Sequence, residues 1–377
     1  PSGLRPRRQV PQGRHAQIVL TRGSRIMEEL FAGITGELVR SGALLGDVLK
    51  DLHSYVDGRL LTPAESGLIG VAASRPLLER TVRRRVEALP GVLIAGSSTA
   101  TGLLTDAARG RVTGVTITSA GRTRAIEDVD LVVDAAGRGS RTPAWLRALG
   151  YAAAPEETVE VGGTYVSQRF RATATHLDGR LGGISAPIAG EDKGGSVVRQ
   201  EGGTFLVSLH GWAGETPPTT HEGMLAWASD LPNPDVAEVL RDAEPIGDPA
   251  MMRFPYAYRR RYELLDRFPA GYLVLGDALC SSNPFSAQGV TLAAMQAQLL
   301  LALAESAGGL GQRFRAEAGA LIDEPWALTA GNGLRFPGGD LVRAQAAEDE
   351  EAARTLTRVL NLTEPAARLT SAVSAFA

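Results

Sequence analysis

The segment Gly276-Asp-Ala-Leu-Cys-Ser-Ser-Asn-Pro-Phe-Ser-Ala-Gln-Gly-Val290 decides the fold of this chain. It follows the apolar stretch Tyr272-Leu-Val-Leu, a predicted buried strand, and leads into an Ala-rich predicted helix that starts at Gly289. Asp277 therefore stands at the carboxyl end of a strand, where sheets of α/β proteins bind their ligands. The free N–H groups at the helix start, near Gly289 and Val290, are predicted to attract an anion or an electron-rich carbonyl.

The side chains of this segment suit a flat ligand with hydroxyl groups. Asp277 is a candidate acceptor for sugar or polyol hydroxyls, next to Gly276 in the turn that ends the strand. Gly289 lets a planar ring lie close to the backbone because it has no side chain. Pro284 is predicted to stiffen the loop that covers the ring.

A second segment, residues 129–143, repeats the pattern of an apolar strand followed by an acid. Asp134 ends the strand Leu131-Val-Val, and Gly137 provides a tight turn. Arg138 and Arg141 follow, and their guanidinium groups are suited to bidentate contacts with phosphate.

Two arginines elsewhere complete the set of candidate site residues. Ser74 is a predicted N-cap, which places Arg75 at the start of a helix. Arg14 lies in the segment Val10-Pro-Gln-Gly-Arg-His-Ala-Gln17. His15 beside it is a candidate general base, although a lone histidine is more often structural.

Segment 276–290 resembles the second FAD motif of the p-hydroxybenzoate-hydroxylase-like flavoprotein monooxygenases. Its Asn283-Pro284 and Gln288-Gly289 pairs look like a bacterial branch of that family that includes polyether epoxidases. The resemblance implies that Asp277 binds the ribityl chain of FAD and that Gly289 and Val290 face the pyrimidine edge of the flavin. Ala287 is a departure, because many members have glycine there.

The other segments resemble further motifs of the same family. Residues 134–141 look like its middle motif, which implies that Asp134 and Gly137 support FAD. Ser74-Arg75 is similar to its Ser-Arg-x-x-Leu-Glu motif, which implies that Arg75 lies near the flavin side chain. In the epoxidase-like branch an arginine at the place of Arg14 holds the flavin.

Length, charge and cysteine content limit the kinds of partner and site that this chain is expected to have. The 377 residues suggest two domains, and a net charge of -3 gives no reason to expect nucleic acid or an anionic membrane as partner. Cys280 is the single cysteine and is predicted to be buried and inert, so no metal site built on cysteines is expected. No transmembrane run or signal peptide is recognisable, and a cytoplasmic location is expected. The cluster Arg259-Arg-Arg261 is interpreted as a solvated turn.

The pattern of elements predicts an α/β fold with two interleaved domains. Residues 162–210 alternate like antiparallel strands, residues 92–95 read as a short strand, and residues 311–377 read as helical. We expect a discontinuous FAD-binding Rossmann-like domain (1–42, 68–160 and 253–308), a substrate domain (43–67 and 161–252) and a helical C-terminal region (309–377). The family begins with a Gly-x-Gly-x-x-Gly strand-helix-strand unit, which the printed chain lacks, so we expect this chain alone to bind FAD weakly.

The resemblance implies an FAD-dependent monooxygenase that hydroxylates or epoxidises an apolar small molecule, with NAD(P)H as reductant or a separate flavin reductase as partner. Candidate pocket residues are Tyr165, Arg169, Phe170 and Trp212, although ordinary core packing fits each of them. Two alternatives stay open: a flavin reductase or dehydrogenase of the same fold, like the geranylgeranyl reductases, and a non-catalytic remnant that has lost FAD.

Overall fold

The largest sheet of the protein has eight strands. The computed structural model describes residues 10–173, 175–186, 191–305, 309–329 and 339–369. In spatial order the strands are β15 (Cys280–Ser281), β13 (Pro245–Arg260), β9 (Glu156–Arg171), β12 (Thr204–Gly211), β11 (Lys193–Gln200), β10 (Gly182–Ser185), β2 (Leu52–Val56) and β3 (Arg59–Leu60). Neighbours pair antiparallel except β10 and β2, which are parallel. The antiparallel strands predicted within residues 162–210 are therefore confirmed.

The two faces of this sheet differ because successive side chains of a strand point to opposite sides. One face carries Phe205, Val207 and Leu209, which pack against helices α5 (His221–Ser229) and α6 (Pro234–Asp242). Each fully buried side chain of this size contributes about 1.5–3 kcal/mol. The opposite face carries Tyr165, Ser167, Ser208 and His210 and is directed toward the candidate site described below.

Smaller sheets make up the α/β part of the chain. Strand β8 (Val132–Asp134) pairs in parallel with β14 (Tyr272–Val274), and β1 (Leu44–Asp47) pairs antiparallel with β4 (Ile69–Ala72). Strands β5 (Ser98–Thr105), β6 (Val112–Ser119) and β7 (Arg122–Ile126) form an antiparallel sheet. The strand predicted at residues 92–95 is wrong: this run has no ladder partner, and Leu93 is 87% exposed.

Helices cover these sheets. Their bounds are α1 (Thr21–Leu30), α2 (Ile34–Arg40), α3 (Arg75–Glu87), α4 (Thr142–Ala148), α7 (Gly289–Ala304), α8 (Leu310–Thr329), α9 (Gly339–Ala346) and α10 (Glu350–Leu360). The break between α1 and α2 is at Gly33. Its φ of 81° lies in the left-handed region, which glycine adopts without strain because it has no Cβ. Helices α8 to α10 confirm the helical C-terminal region. Across the described ranges no helix is both long and apolar enough to cross a membrane.

Helices α1 and α7 approach closely where Gly23 faces Thr291. A Cβ atom on Gly23 would lie 2.5 Å from the Oγ1 of Thr291, which is far inside van der Waals contact. Glycine at this position therefore sets the distance of α1 from the helix that begins at the candidate site.

The interpretation of Arg259-Arg-Arg261 as a solvated turn is wrong. Arg259 and Arg260 end β13 and Arg261 follows it; Arg259 is buried, with its guanidinium 2.7 Å from the Asp323 carboxylate. Arg260 pairs with Glu156 at 3.0 Å, and Arg261 pairs with Glu157 and Glu263. Glu263 lies in the turn directly after β13, but the other acids come from β9 and α8, which no short sequence window reveals. The domain boundary predicted between residues 252 and 253 falls inside the same strand.

Candidate functional site

Two acidic residues follow adjacent parallel strands, as the sequence predicts. Val274 of β14 is paired with Asp134 of β8, so the turns after both strands lie at the same edge. Gly276 and Gly137 in these turns have φ values of 65° and 68°, which glycine adopts without strain. A Cβ on Gly276 would meet nothing within 4 Å, and one on Gly137 would lie 3.8 Å from the Cβ of Asp277. The two turns thus frame Asp277 with open space beside it.

The carboxylate of Asp277 has no hydrogen-bond donor among the described residues, although its backbone oxygen accepts one from the Tyr258 hydroxyl at 2.7 Å. Burial raises the pKa of Asp277, and the nearby guanidinium groups of Arg75 and Arg138 act against that rise. A half-buried carboxylate without a donor is an acceptor for a ligand, because leaving it unpaired carries a desolvation cost.

Arg75 connects three segments of the site. Its Nε donates to Glu79 at 2.8 Å and its Nη1 donates to Gln17 at 3.1 Å, while its charge acts on Asp277. The predicted N-cap is confirmed, since the Ser74 hydroxyl accepts from the N–H of Leu77.

A buried carboxylate from the sheet also holds the start of α3. The backbone N–H of Ser74 donates to Glu201 at 2.8 Å, and the Ser74 hydroxyl donates to the same carboxylate. Glu201 lies in the turn between β11 and β12, so the eight-stranded sheet helps to place Arg75. Sequence reasoning missed Glu201, because it lies more than a hundred residues from its partner.

The start of α7 offers unpaired backbone donors, as predicted. The first bond of the helix runs from the N–H of Leu292 to the carbonyl of Gln288, at 2.8 Å. The N–H groups of Gly289 and Val290 precede it and have no partner within the helix. The Oε1 of Gln288 and the Oγ1 of Thr291 are buried without a hydrogen-bond partner among the described residues. A Cβ on Gly289 would lie 3.7 Å from Asp277 Oδ1, so donors and carboxylate are adjacent.

The loop between β15 and α7 is held by its own polar groups. Asn283 Oδ1 accepts from the N–H of Phe285 at 3.1 Å, and the Ser286 hydroxyl donates to the Asn283 carbonyl at 2.7 Å. Pro284 begins the short 3-10 turn within this loop, consistent with a stiffening role. Ala287 ends the turn with a left-handed φ of 54°.

Replacing Ala287 with Gly is expected to stabilise the protein by up to about 1 kcal/mol, because a left-handed φ strains any residue with a Cβ. Chemical unfolding of the wild type and of Ala287→Gly measures this difference. Ala278→Gly is a matched control, since Ala278 is buried and has no left-handed φ, and that variant is expected to lose stability. A loss of stability in both variants would contradict the strain at Ala287.

The carboxylate of Asp134 forms its hydrogen bonds within the turn that follows β8. Its carboxylate accepts hydrogen bonds from the N–H of Ala136 at 2.8 Å, the Ser140 hydroxyl at 2.6 Å and the Thr142 hydroxyl at 2.5 Å. The Tyr272 hydroxyl lies 3.4 Å away on the other side. Asp134 therefore shapes the turn that holds Gly137 near Asp277, and its support of a cofactor stays a prediction.

The arginines after Gly137 contact rings rather than open space. The guanidinium of Arg138 lies 4.4 Å from the centre of the Phe254 ring and donates to the Ser281 hydroxyl at 2.8 Å. Arg141 lies 5.9 Å from the Trp145 ring. Three aromatic rings of β13 and a hydroxyl surround Arg138, and the expected phosphate contacts of both arginines stay a prediction. Arg14 is exposed and forms no hydrogen bond or ion pair with any other described residue.

An aromatic wall on the sheet lies against the loop before α7. We define the wall by Tyr165, His210, Trp212 and Phe285; the His210 ring centre is 5.1 Å from that of Tyr165 and 5.8 Å from each of the other two. The sequence pointed to Tyr165 and Trp212 but missed His210 and Phe285. Alternation with Ser208 along β12 is the signal that would have indicated His210. The other two candidates lie elsewhere: Phe170 is fully buried on the opposite face, and Arg169 is exposed.

The prediction that Cys280 is a buried, inert side chain agrees with the structure. Cys280 is buried, and burial raises the pKa of its thiol to about 12, so it is not a nucleophile at neutral pH. In the part of the chain that the structure describes, no group of three or more His, Cys, Asp or Glu side chains is arranged to hold a metal ion.

Comparison with known proteins identifies one similar sequence. No protein-family model matches the chain. "Protein Rv3254" of Mycobacterium tuberculosis (strain ATCC 25618 / H37Rv) is 35% identical over 301 residues, which are 76% of this chain and 62% of that protein. The chain thus spans less than two thirds of the length of this relative.

Solved structures show the same fold. PqsL, described as a probable FAD-dependent monooxygenase from Pseudomonas aeruginosa, has a TM-score of 0.63 at 18% identity and covers 90% of this chain and 88% of its own. The p-nitrophenol 4-monooxygenase PnpA from Pseudomonas putida DLL-E4 has a TM-score of 0.67 at 11% identity and covers 93% and 88%. The chain shares its mixed α/β fold with these monooxygenases, which confirms the predicted α/β class with a helical C-terminal region.

Proposed function

We propose that the protein is an FAD-dependent monooxygenase that hydroxylates or epoxidises an apolar small molecule. One observation carries the proposal: the carboxylate of Asp277 and the N–H groups at the start of α7 lie side by side, and neither has a hydrogen-bond partner among the described residues. A polyol chain that continues into a ring with a carbonyl edge satisfies both groups at once. The shared fold with flavin-dependent monooxygenases supports this reading.

The residues present fit FAD in their chemistry. Asp277 would accept hydrogen bonds from the ribityl hydroxyls, and the N–H groups of Gly289 and Val290 would donate to the electron-rich edge of the ring. Gly276 and Gly137 leave room for close approach of the ligand, since neither carries a side chain. Arg75 would place a positive charge beside the flavin side chain, next to Asp277. The roles of Arg14, Asp134 and Pro284 are part of this same proposal.

When bound, FAD supplies the transfer of electrons to molecular oxygen or substrate. The protein contributes binding, orientation and exclusion of water. The first turn of α7 stabilises negative charge on the ligand edge that it faces, because its N–H dipoles are fixed before the ligand arrives. The aromatic wall supplies an apolar surface on the sheet side, which suits an apolar substrate. NAD(P)H, or a separate flavin reductase, would supply the electrons.

The test uses the complete product of the gene, purified and examined for the visible absorption of FAD. NAD(P)H oxidation is then measured with and without oxygen across a panel of apolar small molecules. We expect bound flavin and a substrate-dependent reaction that needs oxygen. Substrate reduction that proceeds without oxygen would favour the reductase of the same fold, and absence of flavin under all conditions would favour the non-catalytic remnant.

A further inference from the structure

The turn that carries Asp277 is the point where the chain passes from one sheet to another. Strand β14 ends at Val274 in the two-stranded parallel sheet, and β15 begins at Cys280 on the edge of the eight-stranded sheet. Residues 275–279 make the whole crossing. The position of Asp277 therefore depends on the contacts that hold this short connection between the two sheets.

Tyr258 stands where three strands of the eight-stranded sheet meet. On β13 it is paired with Thr158 of β9 on one side and with Ser281 of β15 on the other. Its side chain is buried, and its hydroxyl donates to the backbone oxygen of Asp277 at 2.7 Å. This one hydroxyl joins the large sheet directly to the residue that carries the candidate carboxylate.

Two guanidinium groups orient the ring of Tyr258. Arg260 lies 4.2 Å from the centre of the ring and Arg138 lies 4.9 Å from it. Both groups are fixed by hydrogen bonds to the same connection, since Arg260 donates to the Ala278 carbonyl at 2.9 Å and Arg138 donates to the Ser281 hydroxyl at 2.8 Å. The ring is therefore held by cation–π contacts from groups that are themselves anchored beside Asp277.

The hydroxyl of Tyr258 is a donor at neutral pH. Burial raises the pKa of Tyr258, and the guanidinium groups of Arg260 and Arg138 act against that rise. The hydroxyl is therefore protonated, and it uses its proton on the backbone oxygen of Asp277 rather than on the carboxylate. The carboxylate is left free for a ligand, with its Oδ1 3.7 Å from where a Cβ on Gly289 would lie.

Helix α7 holds the other side of the same turn. The N–H of Gly276 donates to the Oε1 of Gln296 at 2.8 Å, and Gln296 is fully buried. Because α7 also begins at Gly289, this bond fixes the turn relative to the backbone donors at the helix start. Tyr258 supplies the corresponding contact from the sheet, so the turn is held between the helix and the sheet.

We propose that Tyr258 is a positioning residue, which holds the backbone of Asp277 so that the carboxylate is directed toward a ligand at the start of α7. Tyr258 acts through Asp277 and needs no contact of its own with the ligand. This inference rests on the proposed function for the identity of the ligand, FAD, whereas the contact between the hydroxyl and the turn exists without it.

The test compares FAD affinity in four forms of the complete protein: the wild type, Tyr258→Phe, Asp277→Asn and the double variant. Tyr258→Phe keeps the buried ring and removes only the hydroxyl. We expect this variant to bind FAD about three- to tenfold more weakly than the wild type, which is the effect of one hydrogen bond. In the Asp277→Asn background the same substitution is expected to change the affinity by less than about twofold, because the two residues act through one group.

An equal loss of FAD affinity in both backgrounds would overturn the proposal, because Tyr258 would then support the fold in general rather than the carboxylate. Unchanged affinity in Tyr258→Phe would overturn it as well. Tyr256→Phe is the matched control, since Tyr256 is on the same strand, is 43% exposed and also has its ring near Arg138. We expect the control to bind FAD as the wild type does, and a loss equal to that of Tyr258→Phe would contradict the proposal.

Hydrogen exchange in the protein without flavin tests the contact with the turn directly. The amides of Gly276 and Leu279 donate to Gln296 and to the Gly276 carbonyl, so they report on the connection between the sheets. We expect residues 272–281 to exchange about tenfold faster in Tyr258→Phe than in the wild type, with no change in α10. Unchanged exchange of residues 272–281, or an equal rise in α10, would overturn the proposal.

The two measurements separate this inference from the proposed function. If the wild type binds no FAD but exchange of residues 272–281 rises in Tyr258→Phe alone, the proposed function fails and the role of Tyr258 in holding the turn stands. If FAD binds and its affinity is the same in Tyr258→Phe, the role of Tyr258 fails and the proposed function stands.

Discussion

Asp277→Asn is expected to weaken FAD binding by about 10- to 100-fold. The carboxylate has no donor among the described residues, so it is free to accept from a ligand, and asparagine removes its charge and replaces one of the two accepting oxygens with a donor. A hydrogen bond to a charged group contributes about 1.5–3 kcal/mol, and each 1.4 kcal/mol is a factor of ten in affinity. Titration of the complete protein with FAD, followed by the quenching of flavin fluorescence, measures the change.

The same substitution is expected to raise the thermal stability of the protein without flavin. Because burial raises the pKa of Asp277 in the folded state, the ionised carboxylate destabilises that state. This penalty is absent below the pKa of the unfolded chain and complete above the higher pKa of the folded chain, so it applies at neutral pH. Asp266→Asn, at an exposed aspartate, is the matched control and should change neither property. Unchanged FAD affinity in Asp277→Asn would exclude a direct contact.

Asp134→Asn is expected to lower the free energy of unfolding by about 2–4 kcal/mol. The carboxylate accepts hydrogen bonds from Ala136, Ser140 and Thr142, and an amide replaces one of the two accepting oxygens with a donor. Buried donors that lose their acceptor cost about 1–3 kcal/mol each, offset in part by relaxation of the turn. Denaturant unfolding, monitored by circular dichroism, gives the difference.

The control for Asp134→Asn is Asp128→Asn. Asp128 is exposed and has a left-handed φ of 55°, a conformation that asparagine tolerates well. We expect a change within about 0.5 kcal/mol for this surface substitution. Equal stability of both variants would show that the buried network around Asp134 contributes little. The contrast with Asp277 is informative, since Asp134→Asn is expected to lower stability, whereas Asp277→Asn is expected to raise it and to weaken ligand binding.

Local patterns in the sequence were sufficient to predict the strand, the helices and the N-cap around the candidate site. The apolar run before Gly276, the start of α7 at Gly289 and the N-cap at Ser74 all depend on interactions within a few residues of each other. Such interactions are encoded by the order of residue types, so their positions follow from the sequence. The strand predicted at residues 92–95 failed because an apolar run becomes a strand only where another strand offers hydrogen bonds.

The role of each polar side chain depends on partners distant in the chain. Asp134 and Asp277 have similar local sequences, yet the first is enclosed by hydroxyl groups and the second has no donor among the described residues. Arg138 lies among rings of β13, more than a hundred residues away, which no local pattern around Gly137 indicated.

The sequence by itself determined the α/β class and the elements around Gly276, Gly289 and Ser74, because periodicity and turn residues act over short distances. Only the tertiary structure decided that His210 and Phe285 complete the aromatic wall, that Glu201 holds the start of α3, and that Arg259 is buried. The physical reason is that burial and hydrogen-bond satisfaction are properties of a side chain's neighbours in space. Those neighbours are contributed by elements whose packing no local pattern specifies.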